Sequence, residues 1–354
     1  MAVSPSAPAL DANQTPGLVC AHHHLYSALA RGMPAPPREP GSFLEILELV
    51  WWRLDRALDL EMIEWSAKLG ALEALEAGTT AIIDHHESPR AIEGSLDTIA
   101  RACAEVGVRV DCAYGVTDRH GPDGAAAGLA ENDDFLSAGG RGRVGVHAAF
   151  TCTDETLATA AQLALKHGVG VHIHVAEGPD DHEAVGRLAE LSADDWLVIH
   201  GVNLPDDHGL RGTIVHNPRS NMNNSVGYSA PARFTNPVAL GTDGIGADML
   251  DEFRLAFARA READLATTPE QPWGWLATGW NLFPEALDDR VTWSYEDMDP
   301  WRLAYTPTLR PLEVEIDGEV VLADGRSTSV DADEIRAKAR EHSLRLHTTL
   351  ADIS

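Results

Sequence analysis

Residues 79–86 read TTAIIDHH, residues 96–107 LDTIARACAEVG and residues 109–116 RVDCAYGV. The first and third are short β-branched apolar runs, while the second spaces its apolar residues three and four apart and stops at a glycine. They predict a strand, a helix ended by a left-handed glycine cap and a second strand, the unit that lays parallel strands side by side. The pattern continues in both directions. Upstream lie GLVCAHHH (17–24) and the amphipathic EMIEWSAKLGALEALEAG (61–78). Downstream come RVGVHAAFT (143–151), TDETLATAAQLALKHG (153–168), VGVHIHVAE (169–177), WLVIHGVNL (196–204), GTIVHNPRSN (212–221) and PVALGTDG (237–244). Eight strand candidates alternating with amphipathic segments predict a (β/α)8 barrel of the TIM type.

The stretches from His200 to His216 and from Tyr228 to Asp243 are short, so the sixth and seventh helices are expected to shrink to turns. Beyond the eighth strand, 249–265 and the Trp-rich 273–287 read as further helices. The segment 309–325 alternates apolar and polar residues around IDGE and ADG turns, a β-hairpin, and 331–350 closes the chain as an acid-capped helix. The expected organisation is a leader over 1–16, a remnant of an N-terminal β segment; a barrel over 17–300; and a reduced β appendage with its helix over 301–354.

Of the 354 residues 44% are hydrophobic and 23% charged, enough apolar content for one large core. Asp and Glu number 55 against 27 Lys and Arg, a formal charge of −28 with no basic cluster, which argues against a nucleic-acid or anionic-membrane partner. The four cysteines, Cys20, Cys103, Cys112 and Cys152, lack CxxC spacing and read as buried free thiols. No basic leader precedes an apolar run, so the expected location is the cytoplasm. A barrel left partly uncovered by reduced helices is expected to pair as a homodimer.

Histidines cluster where the strands end. His22 and His24 are two apart on the first strand, so alternation points both rings the same way. His174 ends the fifth strand, and Asp243 ends the eighth in LGTDG, where glycines leave room for an ion and a substrate. Three nitrogens and one carboxylate oxygen suit one Zn²⁺ with an open position, and Fe²⁺ fits as well. The three lysines, Lys68, Lys166 and Lys338, all fall on helical segments. None lies on the fourth strand candidate, RVGVHAAFT.

These stretches, with AHHHLYSALARGM, DHHESP and HNPRSNMNNSVGY, resemble the amidohydrolase superfamily. The resemblance is to the branch of cytosine, guanine and adenosine-derivative deaminases and triazine hydrolases, and within it to SsnA-type aminohydrolases. It implies His22, His24, His174 and Asp243 as metal ligands, with Asp243 also taking a proton from the activated water. It further implies Glu177 as proton shuttle, His200 as the group orienting the attacking hydroxide and His147 as a substrate contact. Trp52 follows strand one on a segment that caps such sites, and is the candidate to stack on the substrate. The expected function is deamination of an amino-substituted N-heterocycle, a purine, pyrimidine or pterin, by a hydroxide generated on the metal. Ring-amide hydrolysis or chloride displacement at the same site is the enzymatic alternative. A catalytically silent ligand-binding barrel is the alternative from another class.

Overall fold

The computed structural model describes residues 10–353, with only the backbone described at 182–184. Residues 1–9 of the expected leader lie outside the described residues. The eight barrel strands are β1 (Leu18–His23), β2 (Thr79–His86), β3 (Arg109–Tyr114), β4 (Val144–Ala148), β5 (Val171–Val175), β6 (Leu197–His200), β7 (Thr213–His216) and β8 (Val238–Leu240). All pair in parallel with their sequence neighbours, β1 to β3 in one arc and β4 to β8 in another. Isolated parallel bridges join the arcs, Cys112 to Gly142 and Val116 to Val146 on one side and His23 to Asp243 on the other. Covered by side chains within and helices outside, the strands are buried almost throughout, as parallel strands are when both faces are packed.

Alternate residues of five strands, Val19 and Ala21, Ala81 and Ile83, Leu197 and Ile199, Val215, and Ala239, form a small core of their own with Phe283 and Ala286. The carbonyl of Ala286 accepts from Gly17 N just before β1, which puts this plug at the N-terminal end of the barrel. In β1 the pairing slips between Cys20 and His23. Alternation with the inward-facing Val19 and Ala21 puts Cys20 in the larger core shared with the helices, and the slip that follows it turns His22 to the same side as Ala21.

Helices Leu60–Glu76, Ser95–Val106, Gly121–Ser137 and Asp154–His167 wrap the first half of the barrel. The wrapping then thins. After β5 comes a 3₁₀ segment, Pro179–Arg187, no helix is described between β6 and β7, and a six-residue helix, Pro218–Asn223, follows β7. Among the described residues no helix is long and apolar enough to cross a membrane.

The appendage is a five-stranded antiparallel sheet in the order Gln14–Thr15, Arg290–Trp293, Pro311–Ile316, Glu319–Ala323, Arg326–Ser327. It takes Arg290–Trp293 from the span 17–300 assigned to the barrel and Gln14–Thr15 from the leader. The terminal helix Ala332–Asp352, capped by Asp331, packs on Leu60–Glu76. Trp293 fastens sheet to barrel: its indole donates to Thr15 Oγ1 at 2.9 Å and its ring covers the turn at Gly78 that leads into β2. Gly78 has φ +81°, and a Cβ there would meet the Trp293 ring at 2.5 Å. Gly78→Ala combines a left-handed alanine with overpacking, and is expected to cost about 2–4 kcal/mol, read as a fall in thermal midpoint.

Candidate active site

The C-terminal ends of β1, β5, β6 and β8 meet at one mouth of the barrel. His24 Nε2 lies 3.0 Å and His22 Nε2 3.5 Å from Asp243 Oδ1, and His174 Nε2 lies 3.3 Å from His24 Nε2. Ligand atoms of His22, His174, His200 and Asp243 all fall within 4.8 Å of one another. The mutually close group thus holds three of the four residues read as ligands together with His200, and His24, the fourth, joins it through Asp243 and His174. His85, on β2, lies beside His174 at 4.6 Å between ring centroids, a second trio with His24.

The backbone is bent to achieve this. His200, Asp243 and Ala176, which precedes Glu177, have φ of +72°, +54° and +49°, a conformation that non-glycine residues rarely hold without surrounding support. For Ala176 the support is explicit: the Asp181 carboxylate accepts its amide, and Asn203 donates from N to its carbonyl at 2.8 Å. Glu177 is aimed by this pinned turn.

Outer contacts fix the rings. His24 Nδ1 donates to the His85 carbonyl at 2.5 Å and His174 Nδ1 to the His147 carbonyl at 2.7 Å, so each turns its Nε2 toward the cluster. His200 Nδ1 meets Asn221 Oδ1 at 2.9 Å, and Ser220 Oγ donates to Asp243 Oδ2. His22 Nε2 and His200 Nε2 are buried without a hydrogen-bond partner. Such orphaned nitrogens beside a buried carboxylate are what a resident cation satisfies, so the donor set fits a metal ion.

Electrostatics agree with close packing of unlike groups. Burial opposes ionisation of Asp243, but the imidazoles of His22 and His24 beside it outweigh that and hold its pKa well below the carboxylate range. Burial also pushes His24 down, yet the Asp243 hydrogen bond and charge carry it up to about 9. Burial, with the Asp243 charge, raises Glu177 to about 7 against the pull of His200. Glu177 Oε2 faces His200 Nε2 at 3.3 Å, and Asn224 Nδ2 donates to its Oε1 at 3.3 Å.

A pocket lies over the cluster, with about 710 Å³ of empty space counted out to its open mouth. Phe43, Leu47, Trp51, Trp52 and Phe150 roof it. One face of Trp52 carries the Arg119 guanidinium at 4.2 Å, leaving its edge and other face. His147 lines the pocket, with Nδ1 held by Thr151 Oγ1 at 2.8 Å. His85 and His86 are buried and do not line the pocket, and His216 turns outward to Ser229 Oγ at 3.1 Å.

Sequence reasoning missed the buried group of Asp55, Glu87 and Arg119 at the far side of the pocket, where Arg119 pairs with Glu87 and lies 3.7 Å from Asp55. It also missed Asn224 and His172. The HIH of 171–175 carried the same two-residue spacing as the first-strand pair and was a usable signal for His172.

The family model described as amidohydrolase family matches residues 14–271. The chain is 33% identical over 270 residues to a 5'-deoxyadenosine deaminase of Methanopyrus kandleri, covering 68% of this chain and 60% of the relative. It is 28% identical over 281 residues to a 5-methylthioadenosine/S-adenosylhomocysteine deaminase of Symbiobacterium thermophilum, covering 70% and 62%. The matches therefore span about three fifths of these relatives' own length. A zinc-bound adenosine deaminase from Xanthomonas campestris superposes with TM-score 0.79 at 20% identity, covering 95% of this chain and 86% of that one. With eight parallel strands in barrel order, a His and Asp cluster at their C-terminal ends and a family match over most of its length, the chain belongs to the amidohydrolase family.

Proposed function

We propose that the protein is a metal-dependent aminohydrolase that removes the exocyclic amino group of a purine-type heterocycle, with adenosine-like nucleosides as the leading substrates. The observation that carries this reading is the convergence of His22, His24, His174 and Asp243 beside a buried Glu177 under an aromatic roof. The deaminase names of the two sequence relatives support the substrate class. His22, His24, His174 and Asp243 would hold one divalent cation, zinc by its donor set, which lowers the pKa of water so that hydroxide is available near neutral pH.

The chain's own groups do the rest. Glu177 protonates the ring nitrogen next to the amino-bearing carbon, making that carbon electrophilic, then takes the proton that the added hydroxyl loses as the C=O forms and passes it to the amino group that leaves as ammonia. His200 Nε2, facing both Glu177 and Asp243 Oδ2 (4.0 Å), orients the attacking oxygen. Trp52 and His147 contact the heterocycle, and the aromatic roof keeps bulk water out. Chloride displacement needs no proton on the leaving group. A carboxyl held by burial near neutrality therefore favours deamination over that alternative.

The pH dependence tests this assignment. Glu177 is raised to about 7, so its proton is present below that pH and lost above it. Ammonia release by the zinc-loaded protein should peak near neutrality, declining on the alkaline side as Glu177 ionises and on the acid side as water activation fails. An alkaline limb absent up to about pH 9 would remove Glu177 as the proton donor.

A further inference from the structure

The three histidines assigned to the metal are not held alike. His24 and His174 donate Nδ1–H to main-chain carbonyls, which only accept, so in both rings Nδ1 carries a proton and Nε2 is the nitrogen that faces the cluster. His22 Nδ1 instead meets His172 Nε2 at 2.9 Å, and an imidazole nitrogen can be either donor or acceptor. Both rings are fully buried, packed edge to face at 5.0 Å between centroids. His172 Nδ1 has no hydrogen-bond partner.

Two proton arrangements fit these same positions. In one, His172 Nε2–H donates to His22 Nδ1, and His22 carries its proton on Nε2, directed toward Asp243 Oδ1 at 3.5 Å. In that form His22 is not a ligand. In the other, His22 Nδ1–H donates to His172 Nε2, His22 Nε2 is a free lone pair, and the proton of His172 sits on its partnerless Nδ1. The first arrangement turns an N–H of His22 toward the Asp243 carboxylate where the second turns a lone pair, so the first is preferred until a cation repays the second.

We propose that His172 is a positioning residue that switches His22 between a non-ligating and a ligating tautomer, so that metal uptake relocates a proton on both rings. The balance is closed: one proton crosses from His172 Nε2 to His22 Nδ1, the His22 Nε2 proton is released to solvent as the cation takes its place, and His172 takes one proton from solvent at Nδ1. Both rings stay neutral. The proposal rests on the assignment of His22 as a ligand made above, but not on the substrate or the reaction.

The test is zinc affinity, by competition with a chromophoric chelator, for wild type, His172→Leu and His172→Gln, with thermal melts of the metal-free proteins as a folding control. Loss of the acceptor in His172→Leu should weaken zinc binding by about 10- to 100-fold, the usual effect of removing a ligand's hydrogen-bond partner. His172→Gln, whose side-chain carbonyl can take the same bond, should recover most of it. Wild-type affinity in the folded Leu variant, or a Gln variant no better than Leu, would overturn the proposal.

Should His172→Leu fail to fold, ¹⁵N spectra of histidine-labelled wild type decide. His22 and His172 should be protonated on Nε2 in metal-free protein and on Nδ1 after Zn²⁺ is added. Unchanged tautomers overturn the switch. A wild type that binds no zinc instead overturns the ligand assignment, and the switch with it.

Discussion

Glu177→Gln is expected to leave the protein folded and able to take up its metal while cutting turnover by about 10²- to 10⁴-fold, the usual worth of general acid–base help. The side chain is not among the four assigned to the ion, and glutamine keeps its size and its bond to Asn224 Nδ2, which lies 3.3 Å from Oε1. What is lost is the transferable proton. Because the loop is set by Asp181 and Asn203 acting on the backbone of Ala176, the substitution does not release the turn. KM should therefore move little and kcat should carry the loss. Metal analysis alongside steady-state kinetics checks both halves. A variant that loses metal as readily as a ligand variant would place Glu177 in the coordination set, and near-wild-type turnover would point to a leaving group that needs no proton.

The second large effect is at the hub of the cluster. His24 Nε2 is 3.0 Å from Asp243 Oδ1 and 3.3 Å from His174 Nε2, so His24→Ala removes the nitrogen that these two of the other three donors face. Metal content should fall from about one ion per chain toward none, and turnover with it. Stability falls as well: a cation present at about 1,000 times its dissociation constant stabilises the folded state by roughly 4 kcal/mol, which the variant forfeits. The thermal midpoint of His24→Ala should then match that of metal-free wild type. Two tightly bound ions in wild type would contradict the account, since β4 (Val144–Ala148) supplies no lysine to bridge a pair.

The barrel was legible in the sequence because each strand is a short apolar run bounded by turn residues, and the clustering of His22 and His24 because strand alternation puts both on one side. What was not legible came from tertiary contacts. Helix Gly121–Ser137 carries three glycines in its first eight residues and reads as a poor helix. It is held by Asn132, whose side chain bonds the backbone of β3 and β4 at Tyr114 and Gly145, and by Gly128, which lets the helix approach the Tyr114 ring. The strand Arg290–Trp293 was likewise hidden in a Trp-rich tail, since its partners lie far away in sequence at 14–15 and 311–316. The aim of His200 and Asp243 depends on left-handed backbone that no periodicity announces. The Asp55, Glu87 and Arg119 group joins three separate segments, so no local motif exists for it.

The central claim is that this site hydrolyses an amino group from a purine-type ring. The most direct measurement offers zinc-loaded protein matched substrates, aminopurine nucleosides, their 6-chloro counterparts and a cyclic amide, and quantifies ammonia, chloride and ring product together. The account predicts one ammonia per oxopurine formed from at least one aminopurine nucleoside, with that rate lost in Glu177→Gln. Chloride release or ring opening with no ammonia from any amine would contradict it.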